Sequence, residues 1–102
     1  MNELTVKGVV IEILQLESGT SKAGKEWIKQ EFVVETQDQY PVKIALTCFG
    51  DKTDLLSKIT EGQIVSVSFN LESREYNGRW FHNINAWKII VDELEQHQNN
   101  DI

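Results

Sequence analysis

Cysteine, histidine and long apolar runs are scarce in this chain, and each scarcity removes a class of function. Its 102 residues hold one cysteine and two histidines. Cys48 has no second cysteine for a disulfide and stands in the run Ile44–Phe49, where a small apolar residue would serve equally; it is read as buried and inert. His82 and His97 stand alone, with no cysteine pair or spaced carboxylate to complete a metal-binding or nucleophilic motif. Gly19 and Gly24 bracket a segment between two strands, with no helix N-terminus beyond it to hold a phosphate. The expectation is a protein without catalysis, metal or cofactor. No apolar run approaches the length of a membrane span, and Met1–Leu4 lacks the layout of a secretory signal, so a cytoplasmic protein with no membrane partner is expected.

Basic excess is also missing. The net charge is −6, which argues against coating nucleic acid by electrostatics alone. Four of the sixteen acids lie in the last eleven residues, however, so residues 1–91 carry twelve acids against all ten bases and are close to neutral. A local basic stripe is compatible with that balance, and strong nonspecific binding is not. Residues 1–91 are read as one domain with a single small core, and 92–102 as an acidic, amide-rich tail that extends the last strand briefly and then frays.

What is present is mostly β-pattern. Leu4–Leu16 is long and β-branched, with Gly8 where a strand would bend sharply or bulge. Glu17–Lys25 is polar and Gly/Ser-rich and reads as a mobile loop carrying Lys22 and Lys25. Glu26–Thr36 resumes strand character, with Ile28, Phe32 and Val34 on one side and Trp27, Lys29 and Glu31 on the other. After a turn at Asp38–Pro41, the alternation of Val42, Ile44, Leu46 and Cys48 with Lys43, Ala45, Thr47 and Phe49 marks a third strand. One short helix is expected next, with Asp51 as N-cap, Leu55, Leu56 and Ile59 as its apolar stripe and Gly62 at its stop.

The last two strands form a hairpin around Asn77-Gly78, because a two-residue type I′ turn needs positive φ at both central positions. Counting outward predicts the pairs Tyr76–Arg79, Arg74–Phe81, Glu72–Asn83, Asn70–Asn85 and Ser68–Trp87 on one face. The other face pairs Leu71 with Ile84 and Phe69 with Ala86. Apolar meets apolar on that second face, which is expected to point inward.

Five strands with one helix between the third and fourth is the layout of the OB-fold, a five-stranded all-β Greek-key barrel. Phe49–Asp51, Leu55–Ile59 and Glu61–Gln63, followed by Val65 and Val67, resemble the corresponding segment of bacterial single-stranded DNA-binding proteins. Through Ser18–Lys22, Trp27–Phe32 and Glu72–Trp80, residues 3–90 are also similar to a family of small OB-like proteins with a domain of unknown function, known mainly from Bacteroidetes. That resemblance implies the fold and no settled activity.

OB-folds bind ligands across the outer face of strands two and three, between the one-two and four-five loops. The outward residues there are Trp27, Lys29, Lys43, Thr47 and Phe49, flanked by Lys22 and Lys25 on one loop and Arg74, Tyr76 and Arg79 on the other. Rings that stack on bases and cations that follow the backbone are the chemistry of single-strand binding. For Trp27 and Phe49, ligand contact and edge packing both remain open, whereas Trp80 is read as a cap on the core beside Leu71 and Ile84. Tyr76 is expected to make a surface contact, with ligand or with a second subunit; Trp87 is assigned to a dimer interface or to cover by the tail. Two functions follow. One is a noncatalytic module for single-stranded nucleic acid, most naturally DNA; the other is a protein-interaction or assembly module of the same fold, forming a homo-oligomer or binding another protein.

Overall fold

Alternation decides which way each strand faces, and the result is a ring of five strands with a short sixth at its edge. The computed structural model describes residues 3–92. In chain order these are β1 (Leu4–Ile13), β2 (Glu17–Thr20), β3 (Glu26–Thr36), β4 (Lys43–Phe49), a 3-10 helix (Gly50–Lys58), β5 (Ile64–Tyr76) and β6 (Arg79–Val91). The sheet order is β1-β5-β6-β4-β3-β2, and an additional β1–β3 pairing closes the ring. No helix of the described residues is long and apolar enough to cross a membrane. The expected tail, apart from Asp92, lies outside the described residues, as does His97; Asp92 itself pairs with Lys7 at 2.9 Å.

β1 makes closure possible because it belongs to two ladders. Leu4–Val9 pair antiparallel with β5, and Gly8–Ile13 pair antiparallel with β3, with a register shift between Val10 and Glu12. Gly8 and Val9 serve both neighbours at the bend. A Cβ on Gly8 would lie 2.3 Å from the Glu35 carbonyl oxygen, so only glycine lets β3 approach this closely.

Inward positions of the alternating strands meet in one core: Val10, Phe32, Val34, Leu46, Cys48, Val65, Val67 and Ala86, with Leu56 and Ile59 covering them from the helical segment and the residue after it. Burial pushes the Cys48 thiol up to about 11, with Lys52 pulling weakly the other way. The folded chain therefore holds this proton more tightly than the unfolded one, and the resulting stability is lost as pH rises from about 9 towards about 11.

Four expectations need correction. The polar stretch after β1 is not all loop: Glu17–Thr20 pair with Glu26–Lys29, and Lys22 and Lys25 sit on the turn between them. The helix is a 3-10 segment, with Phe49 rather than Asp51 at the N-cap position and no side-chain cap. Within it the hydroxyls of Thr53 and Ser57 donate to the carbonyls three residues back, at 2.8 and 2.7 Å, which competes with α-helical bonding. Ser68 faces Lys88 rather than Trp87, because a bulge between Ser68 and Phe69 adds Trp87 as an extra residue opposite them. Ser68 is buried, its hydroxyl donating to the Glu3 carboxylate.

The fourth correction concerns the hairpin's inward face. Asn77 and Gly78 have φ of 53° and 78°, as the type I′ turn requires, and every predicted pair from Phe69–Ala86 to Tyr76–Arg79 forms. Yet residues 70–82 are all exposed, and Leu71 and Trp80 keep 55% and 62% of their surface. The distal hairpin is an arm projecting beyond the core, which leaves Trp80 nothing to cap; the molecule measures 55 × 27 × 26 Å.

Gly8→Ala is expected to lower the stability measured by urea denaturation by about 2 kcal/mol, the order of cost for forcing atoms into a packed site. A loss below about 0.5 kcal/mol would mean that β1 and β3 are free to separate at this bend.

Candidate nucleic-acid interface

The outward positions of β3 and β4 are set by the same alternation that fills the core. Lys29 lies opposite Phe49, Glu31 opposite Thr47 and Glu35 opposite Lys43. Trp27 lies opposite Gly19 of β2, where an added Cβ would come within 2.5 Å of the indole. The ring therefore rests on bare backbone, and the Lys29 ammonium stands 5.9 Å from its centroid. Trp27 and Phe49, 40% and 47% exposed, line a cavity of about 290 Å³ together with Glu26, Ile28 and Gly50.

A second cavity, of about 430 Å³, is also lined by Phe49, together with Glu72, Arg74, Asn83 and Asn85. It lies where β4 and β6 run side by side, bridged in parallel at Thr47 and Asn85. Phe49 thus belongs to both cavities, and the β3–β4 face joins the arm. Along the arm the same face continues as Arg74 beside Phe81 and Tyr76 beside Arg79, with the Arg79 guanidinium 6.0 Å from the Phe81 ring. Among the described residues none of Lys22, Lys25, Lys29, Lys43, Arg74 and Arg79 is in an ion pair. Three carboxylates share the surface: Glu26, Glu31 and Glu72. The Asn85 amide donates to Glu72 at 3.3 Å, while its Oδ1 is enclosed without a hydrogen-bond partner.

The family described as Domain of unknown function (DUF3127) matches residues 5–90. The chain belongs to this family. Among curated proteins, no relative matches. Among solved structures, the DUF3127 chain is similar to Rim1, a mitochondrial single-stranded DNA-binding protein from S. cerevisiae, with a TM-score of 0.65 at 13% identity, covering 89% of this chain and 95% of that one. The second OB-fold domain of replication protein A from Methanococcus maripaludis aligns with a TM-score of 0.65 at 17% identity, over 90% and 85% of the two chains. A small single-stranded DNA-binding protein from Streptomyces coelicolor aligns with a TM-score of 0.54 at 18% identity, over 93% and 97%. At these identities the likeness is one of fold, and the fold is the OB-fold.

Not every residue singled out from the DUF3127 sequence converges on this surface. Trp27, Lys29, Phe49 and Arg74 do. Tyr76 and Arg79 lie at the tip of the arm, Lys22 and Lys25 on the β2–β3 turn, and Lys43 at the opposite end of β4 beside Glu35. Phe81, Asn83 and Asn85 belong to the surface and were missed as site residues, although the hairpin register had already placed them on the face of Arg74.

With Trp80 and Trp87 replaced by phenylalanine, Gly19→Ala is expected to dislodge the Trp27 ring. Its emission should shift to longer wavelength, and acrylamide should quench it more strongly. An unchanged spectrum would show that Gly19 does not seat the indole.

Proposed function

We propose that residues 1–91 form a noncatalytic OB-fold module that binds single-stranded nucleic acid, most naturally DNA, with the acidic tail as a separate solubilising end. The observation that carries this reading is the continuity of the outer face: Phe49 is shared by two adjoining cavities, one leading to Trp27 and one to Arg74, Asn83 and Asn85. Two ring faces spaced along a groove suit successive bases, and the asparagine amides suit base edges. Lys29 and Arg74 are cations beside them that have no ion pair among the described residues, Arg79 and Tyr76 follow on the same face at the tip of the arm, and Lys22, Lys25 and Lys43 would be reached only by a longer strand.

The carboxylates on the same face decide the balance of forces. With Glu26, Glu31 and Glu72 interspersed among the bases, phosphate neutralisation contributes little, and stacking supplies most of the affinity. Binding on this reading is modest, specific to unpaired bases and only weakly dependent on salt. The rival function, a protein-interaction module, draws support from the exposed Leu71 and Trp80 on the opposite side of the arm.

Fluorescence titration of a Trp80→Phe, Trp87→Phe chain with short oligothymidylates tests the proposal, since Trp27 is then the reporter. Saturable quenching is expected. Phe49→Ala should weaken binding by roughly 5- to 150-fold, the equivalent of one lost stacking contact of about 1–3 kcal/mol. Replacing Arg74 and Arg79 together with alanine should flatten the log–log salt dependence by about 1.4, or two phosphate contacts. A flat titration at low salt would favour the rival.

A further inference from the structure

The arm has an unpaired edge. The first pair between β1 and β5 is Leu4 with Phe69, so among the described residues the edge of β5 from Asn70 to Tyr76 meets no strand. A two-stranded ribbon exposed on both faces is marginal in water, and an open edge is a template for another strand. Protected edges carry charges, lysine above all, or proline or a bulge, and the charges on this edge, Glu72, Arg74 and Glu75, are of both signs and can pair across a two-fold axis. Residues 70–76 have no lysine or proline, and the only register shift in the hairpin lies earlier, between Ser68 and Phe69.

We propose that this edge pairs antiparallel with the same edge of a second copy of the chain, about a two-fold axis at Ser73. In a two-residue hairpin the closing residues Tyr76 and Arg79 exchange main-chain bonds, so Glu75, Ser73 and Leu71 turn theirs outward. Centring on Ser73 lets these groups form about six intermolecular hydrogen bonds. It also sets Glu72 against Arg74 of the partner subunit, and Arg74 against Glu72 of the partner subunit. Centres at Glu72, Arg74 or Glu75 would instead oppose like charges, and one at Leu71 would need the edge of Phe69, which already pairs with Leu4, so charge and pairing together favour Ser73.

The same register brings Tyr76 of the partner subunit beside Asn70. There a cavity of about 310 Å³, lined by Leu4, Phe69 and Trp87 among others, opens at the start of β1. Tyr76 is 69% exposed in the single chain, with no core to receive it. Ring and cavity are complementary across the axis. Because such an axis runs normal to the sheet, both copies present their Trp27–Arg74 face on the same side, and Tyr76 leaves that face for the interface. The proposal does not depend on nucleic-acid binding.

Light scattering on the full chain, from about 1 to 100 μM, is expected to show a mass rising from that of one chain to twice that value. Ser73→Pro removes an outward N–H and leaves the main-chain bonds between β5 and β6 in place, losing only the exposed hydroxyl contact with His82, and should leave a single chain that still melts cooperatively. Glu72→Arg should also abolish the dimer, and adding Arg74→Glu should restore it, which keeps the test decisive if the proline variant fails to fold. Ser73→Cys should form a disulfide-linked dimer under mild oxidation, because paired residues lie about 5.5 Å apart at Cα, within the roughly 4.4–6.8 Å a disulfide spans. A single-chain mass throughout would overturn the proposal. So would a dimer that persists in a folded Ser73→Pro variant, or one cross-linked through His82→Cys on the β6 edge and not through Ser73→Cys.

Discussion

Strands β4 and β6 lie side by side and are bridged in the ladder at one position, Thr47 with Asn85, and the candidate surface depends on that approach. Without it Phe49 would end an outer face of β3 and β4, and the arm would be an unrelated ribbon. With it, the aromatic face and the amide- and arginine-bearing face become one groove. The pair is held indirectly. β1 bends at Gly8 to bond both β3 and β5, and the ring thus formed brings the C-terminal end of β4 beside the middle of β6. A backbone approach too close for any Cβ, on one side of the molecule, therefore sets the geometry of a surface on the other.

The two faces of the hairpin divide the chemistry. One carries Arg74, Phe81, Asn83 and Arg79 and continues the groove; the other carries Leu71, Trp80 and His82, with the His82 ring 2.8 Å from the Ser73 hydroxyl. Neither is buried past Asn70. A ribbon this exposed gains little stability from its own side chains, since area removed from water is what makes apolar residues stabilising. Rings and guanidinium groups held there face solvent; on the two proposals made above, one face meets nucleic acid and the edge between the faces meets a second chain.

Much of this was legible in the sequence where a local rule dominates. Asn77-Gly78 sets a turn whose geometry leaves one register, and the pairs from Phe69–Ala86 outward follow from counting. The alternation of Ile44, Leu46 and Cys48 put Phe49 outside, because a strand packed on one core has only two faces. Tertiary effects escaped. β2 has too few β-prone residues to announce itself and is recognisable only once the Trp27 indole is seen lying on Gly19. The bulge at Trp87 changes the pairing by one residue while leaving the local pattern intact. The exposure of Leu71 could not be read from alternation, since periodicity says which residues share a face and not whether anything covers it.

The central claim is that the outer face from Trp27 through Phe49 to Arg74 acts as one binding surface. Amide chemical shifts of the labelled chain, followed through titration with a short oligothymidylate, test it most directly. The account predicts saturable shifts that share one dissociation constant at residues 26–30, 47–50 and 72–85, with the Ala45–Val33 end of the sheet unmoved. Shifts confined to the Leu71–Trp80 face of the arm, or none at low salt, would contradict it.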